Sequence, residues 1–225
     1  MQQIVDSKLS ALLREKIETT GAGRTDTGVH AKYFIAHFDS ITKNLAGNKD
    51  LVYHLNRVLP HDIAIQNIFL VKPDAHARYD ALSRQYEYLI STKKNPFYHG
   101  SSMLYTLPLD LDAMNNTCKI LKEYNDFTSF SKLHTDVKTN ICNIYEAYWK
   151  KNGDLIIFTI KADRFLRNMV RAIVGTMMET GKNRIDTEGF RQVILAKNRG
   201  KAFSSADANG LYLTDIEYPA SFGIK

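Results

Sequence analysis

GAGRTDTGVHA, residues 21–31, places a carboxylate, Asp26, and a guanidinium, Arg24, inside a glycine-rich turn. The segments on either side decide how the chain is read. Upstream, Ile4, Val5, Leu9, Leu12, Leu13 and Ile17 recur at helical spacing with charges between them. They predict an amphipathic helix over residues 2–18, ended by residues 19–23. Downstream, residues 29–38 hold Tyr33, Phe34, Ile35, Ala36 and Phe38, apolar on both faces as expected of an interior strand. Gly21, Gly23 and Gly28 allow positive φ, so the loop is expected to bend sharply and present Arg24, Thr25 and Asp26 between helix and strand. Two familiar motifs fail here. A phosphate-cradling loop needs a Lys followed by Ser or Thr, and a dinucleotide fingerprint needs glycine at Asp26 and a preceding strand. The plainer alternative is that Asp26 is a turn residue bonded to its own backbone. His30 and His37 are candidate bases, but their neighbours read as partly buried strand positions.

With 225 residues the chain can bury roughly 70% of its unfolded surface, as one large or two modest domains. A hydrophobic fraction of 44% and a charged fraction of 24% belong to a globular protein. No apolar run approaches the roughly 20 residues that span a bilayer, and the opening residues do not read as a signal peptide, so no membrane association and a cytoplasmic location are expected. Cys118 and Cys142 are too few for a metal knuckle or a disulfide framework and read as packing residues. A net charge of +6 and a pI near 9.1 favour a polyanionic partner.

Along the chain, residues 50–59 read as a second helix stopped by Pro60, residues 63–71 as a strand and residues 72–81 as a loop. SRQYEYLIST, residues 83–92, alternates closely enough to be a strand. Its Tyr86 and Tyr88 read either as core or as rings that stack on bases beside Arg78 and Arg84. Residues 109–124 predict a helix after Pro108, and residues 125–140 a polar, mobile link. Residues 141–149 and 155–162 pair as strands through Asn152, Gly153 and Asp154. ADRFLRNMVRAIVGTMMETG, residues 162–181, reads as a helix with Arg164, Arg167 and Arg171 on one face and an apolar opposite side. An arginine turned inward there demands a carboxylate or phosphate. Residues 186–197 predict another helix, Lys197, Arg199 and Lys201 suit phosphate contact, and residues 210–218 form a last strand. The mixture is expected to give an antiparallel or mixed sheet covered by helices.

GRTDTGVHA, ARYDALSRQYEYLI, DFTSF, ADRFLRNMVRAIVG and GLYL together resemble, in the same order, the TruA family of tRNA pseudouridine synthases over nearly the whole chain. The resemblance implies an α/β (α+β) fold of two related halves, residues 1–105 and 106–225. Their mixed, largely antiparallel sheet would be flanked by helices, with the catalytic cleft between the halves. It implies isomerisation of uridine to pseudouridine at positions 38, 39 and 40 of the anticodon stem-loop, by a homodimer, without metal or organic cofactor. On the matching positions Asp26 is the catalytic residue, adding to the ribose, adding to the base or removing a ribose proton. Arg171 would pair with it, and a cation within about 4 to 6 Å favours the anionic form of a carboxylate. Arg24 would help extrude the target base, Tyr86 would stack on the uracil, and Leu213 would face its other side. Arg78 and Arg84 join Arg164, Arg167, Lys197, Arg199 and Lys201 as candidate phosphate contacts, placed by charge and position.

Two other readings stand beside this one. A relative that binds or chaperones RNA without modifying it has no use for a carboxylate among arginines. A metal-dependent nuclease needs several converging acidic residues. The family also opens with a strand and a GWQ-like loop, whereas this chain starts within the following helix at MQQIVDSKL. A sheet edge left open there is expected to lower stability and activity relative to an extended form.

Overall fold

The computed structural model describes residues 1–132 and 139–223. In chain order the elements are α1 (Gln2–Leu13), β1 (Thr20–Gly21), β2 (His30–Ala31), β3 (Ala36–His37), α2 (Lys49–Val58), β4 (Ser83–Ser91), β5 (Met103–Leu104), α3 (Leu111–Leu121), β6 (Ile144–Asn152), β7 (Leu155–Ala162), α4 (Met169–Gly181), α5 (Thr187–Leu195) and β8 (Leu211–Glu217). They fall into two compact units. The first holds Met1–Gly23, Phe34–Ala81 and the chain from Tyr218, and the second holds Arg24–Tyr33 and Leu82–Glu217.

In the first unit Leu9 and Ile17 pack with Leu51, Leu55 and Leu59 of the α2 region, and Val5 and Leu13 border them. The expected helix over residues 2–18 stops at Leu13, because Arg14 takes a left-handed conformation (φ 56°, ψ 33°). The returning chain runs back along α1 on polar side chains spaced one turn apart. The Ser10 hydroxyl accepts from Ile17 N at 2.9 Å, and Asp6 Oδ1 accepts from Thr19 N at 2.9 Å and Thr19 Oγ1 at 2.6 Å. Residues 63–71 do not form the expected strand. Ile63, Ile65 and Ile68 dock on the helical cluster, and the backbone of Ile65 finds its partner in one side chain, Asn56, whose amide donates to Ile65 O (2.8 Å) and accepts from Ile65 N (2.7 Å). An amide of that geometry stands in for a strand neighbour, so an apolar alternation forms no ladder.

The run 29–38 is likewise not one strand. Its first part, β2, pairs parallel with β8, and its second, β3, pairs antiparallel with β1, so its apolar residues serve two different sheets.

The second unit is built on a sheet of order β2-β8-β4-β7-β6, with β5 also on β4. β4 pairs antiparallel with β7 and β8, and β6 with β7, while β2–β8 and β4–β5 are parallel. This is the α+β class with a mixed, largely antiparallel sheet. The β6–β7 hairpin closes through Gly153 and Asp154 between the paired Asn152 and Leu155, and Gly153 has the positive φ (59°) that such a turn requires. α3, α4 and α5 bury Met114, Leu121, Ile173, Met177 and Phe190 with Tyr88, Ile90, Phe158 and Ile160 of the sheet. At the edge, Asn115 of α3 repeats the device seen at Asn56, bonding Trp149 O (3.1 Å) and Trp149 N (2.8 Å) and so occupying part of the open side of β6.

Two further expectations change. DFTSF is core rather than a loose link: Phe127 and Phe130 are fully buried, in a turn closed by Asp126 on Thr128 N (3.1 Å) and Oγ1 (2.6 Å). Residues 133–138 of that expected link lie outside the described residues. The arginine-bearing helix begins only at Met169, since Asp163 turns the chain by accepting from Asn143 N (2.8 Å) and Arg164 N (2.6 Å) and Asn168 is left-handed (φ 64°). Arg164 and Arg167 therefore precede α4 and form no stripe with Arg171.

Candidate active site

Asp26 sits in a tight turn of the second unit, closed by Val29 N donating to Asp26 O at 3.1 Å. Gly28 has φ 86°, which a side chain at that position would oppose. Gly21 and Gly23 do not take positive φ, contrary to expectation. In the first unit, Gly21 instead makes room for the Phe34 ring, 2.8 Å from where its Cβ would stand.

Every residue of α4 is buried except Arg171. That side chain donates through Nη1 to Asp26 Oδ2 at 3.0 Å, with 21% of the arginine and 25% of the aspartate side chain exposed. The pair is therefore sheltered but reachable. Arg171 Nε donates to Ala206 O at 2.8 Å, fixing the plane of the guanidinium. Arg167, more exposed, brings Nε to 3.9 Å from Asp26 Oδ1. Its place on the carboxylate was not expected from sequence, where it read as a phosphate contact. A charged loop residue two positions before the helix carries no periodic signal.

Tyr86, on β4, is the register partner of Leu213 on β8, beside an irregularity between Gln85 and Tyr86. Its ring meets Phe165 edge-on at 5.1 Å. Burial pushes its phenol up to about 12, Arg84 opposes that, and the Asp26 charge adds to it, so Tyr86 stays a neutral ring within the field of Asp26. Leu213 is 1% exposed, a floor to the site more than a free surface. Tyr88, two residues on along the same face of β4 and fully buried, has its phenol pushed up by burial and by Asp207 and pulled down by Arg171; its hydroxyl donates to Asp207 O at 2.8 Å.

The remaining candidates are spread more widely. Arg84 is half-buried and donates to Asp163 O at 3.2 Å. Arg24 is exposed on the Asp26 loop. Arg78 belongs to the first unit, exposed, with its guanidinium 5.8 Å from the Tyr79 ring centroid. Lys197 pairs with Asp126 at 2.9 Å, and Arg199 bonds acceptors of its own loop. Among the described residues no group of three or more His, Cys, Asp and Glu is placed to hold a metal ion, and no helix is long and apolar enough to cross a membrane.

A carboxylate gripped by one arginine and faced by a second, its charge felt by a neutral tyrosine, can attack a carbon centre or move a proton. A family model described as tRNA pseudouridine synthase matches residues 123–219. The tRNA pseudouridine synthase A of Parabacteroides distasonis is 54% identical over 224 residues, covering 97% of this chain and 86% of that protein. The protein of the same name from Bacteroides thetaiotaomicron is 49% identical (97% and 82%), and that of Neisseria meningitidis 34% identical (100% and 84%). Identity at this level over the full span of the chain, joined to the fold, places this chain in the tRNA pseudouridine synthase A family.

Proposed function

We propose that this chain isomerises uridine to pseudouridine in transfer RNA, at positions 38, 39 and 40 of the anticodon stem-loop, with Asp26 as the catalytic residue and no metal or organic cofactor. The observation that carries the reading is the Asp26 carboxylate held 3.0 Å from Arg171 at a partly open site. Uracil must leave its ribose, turn and rejoin through carbon, and the carboxylate serves by adding to the ribose, adding to the base or removing a ribose proton. Arg171 keeps it oriented and balances its charge. Arg24 helps extrude the target base, against an unstacking cost of a few kcal/mol. Tyr86 stacks on the uracil, Leu213 backs it, and Arg78 and Arg84 contact phosphates. The same reading includes a homodimeric, cytoplasmic enzyme of two related halves, residues 1–105 and 106–225.

The experiment is to treat an unmodified transfer RNA carrying uridines at 38, 39 and 40, with chelator present, and map pseudouridine by carbodiimide adducts that stop reverse transcription. Stops at those positions are expected. Tight binding without any stop would favour an RNA-binding or chaperone relative, and stops confined to other loops would displace the anticodon assignment.

A further inference from the structure

Residues 202–206, which lie in no helix or strand, run across α4 closely enough to touch its backbone. A Cβ on Gly175 would stand 1.9 Å from Ser204 O and 3.2 Å from Ala206 N. The contact is fastened at four points: Ala206 N donates to Arg171 O at 3.0 Å, Arg171 Nε to Ala206 O at 2.8 Å, Phe203 N to Thr176 Oγ1 at 3.3 Å and Asn168 Nδ2 to Ser205 Oγ at 2.7 Å. The segment is thus the other jaw of the clamp on Arg171. Its own shape is set by one side chain. Arg199 Nη1 donates to Ala202 O at 3.2 Å and Phe203 O at 3.3 Å, and Nη2 donates to Ser205 Oγ at 3.0 Å.

We propose that Arg199 is a positioning residue: it braces residues 202–206 so that the Ala206 carbonyl holds the Arg171 guanidinium against Asp26. The proposal rests on the reading of Asp26 and Arg171 as the reacting pair. It assigns Arg199 a role different from phosphate contact, and the two roles demand different chemistry. A phosphate contact needs a charge, which lysine keeps. A brace across three neutral acceptors needs the planar, forked donor set of a guanidinium, which lysine lacks.

Arg199→Lys therefore separates them. As a brace, its loss lowers kcat by about 10- to 100-fold, the range expected for a misplaced catalytic group, while KM for transfer RNA and the salt dependence of binding stay as in the wild type. As a phosphate contact, Arg199→Lys keeps kcat, and Arg199→Gln lowers the slope of log K against log salt by roughly 0.7 to 0.9. A second readout is independent of turnover. The Arg171 Nε–H, bonded to Ala206 O, exchanges slowly with solvent by nitrogen-15 NMR in the wild type and faster in Arg199→Lys. Ser205→Ala, which removes the acceptor shared by Asn168 and Arg199, moves both readouts the same way and guards against a misfolded lysine variant. Wild-type kcat with wild-type Nε–H exchange in Arg199→Lys overturns the proposal. A wild-type protein that forms no pseudouridine would instead overturn the functional reading, and the exchange measurement would still decide the brace.

Discussion

Replacing Gly175 with alanine adds one methyl group in the middle of α4, a change that helix propensity alone favours by about 1 kcal/mol. Here it should destabilise. The new Cβ would lie 1.9 Å from Ser204 O and 3.0 Å from Ser204 C, both backbone atoms, so relief requires residues 203–206 to lift by more than an ångström. That lift breaks Ala206 N to Arg171 O (3.0 Å), Arg171 Nε to Ala206 O (2.8 Å) and Phe203 N to Thr176 Oγ1 (3.3 Å). Three hydrogen bonds at about 1 kcal/mol each, with about 1 to 3 kcal/mol of overpacking and about 1 kcal/mol returned by propensity, leave a net loss of about 3 to 5 kcal/mol. For a chain of this size that corresponds to a fall in melting midpoint of roughly 6 to 20 °C. The assay is a circular-dichroism melt, followed by tritium release from transfer RNA labelled at C5 of uridine, well below the variant's midpoint. Activity should fall even where the variant is folded, because Arg171 loses its carbonyl partner. A Gly175→Ala protein as stable and active as the wild type would show that residues 202–206 do not press on α4.

Arg171→Met leaves Asp26 facing the more distant Arg167; because the pair is partly exposed, a stability loss of about 1.5 to 3 kcal/mol is expected, with a fall in turnover of at least about 100-fold. A urea melt and tritium release measure both, and an active Arg171→Met would dismiss the pairing as functional. Asn115→Ala strips the amide from Trp149 at the β6 edge and should cost about 1 to 3 kcal/mol by urea unfolding, whereas an unchanged midpoint would mean that water replaces the amide at no loss. His37 is held below its ordinary value, first by burial, then by the nearby His76, against the opposing pull of Asp39 and Asp80, and its Nδ1 accepts from Ala77 N at 3.1 Å. The unfolded chain therefore takes up the proton first, so this stabilisation is present above about pH 6.5 and is lost as pH falls through the depressed folded value. Urea midpoints across that window should fall with pH in the wild type and flatten in His37→Gln; parallel curves would remove His37 from the account.

The alternation over residues 83–92 reads true because β4 is paired on both sides, with β7 and with β8, within a single sheet. Residues 29–38 break that condition by crossing from one sheet to another, and residues 63–71 lose their ladder to the amide of Asn56, a side chain of the preceding helix that no apolar pattern announces. The composition extends α4 too far towards its N-terminus because Asn168 is left-handed within an otherwise helical stretch, and Phe127 and Phe130 hide as two core rings in a polar one. Asp26 and Arg171 stand 145 residues apart in sequence, so their pairing was reachable through the resemblance and not through spacing. Residues 202–206 left no signal at all beyond Gly175, which in sequence is only a weak helix former.

In the proposed function the Asp26 carboxylate performs the chemistry while other residues supply affinity for RNA. Asp26→Asn keeps the size of the side chain and removes its charge. This variant is expected to release no tritium from C5-labelled transfer RNA above background while binding the same RNA within a few fold of the wild type. Release at the wild-type rate by Asp26→Asn would contradict it.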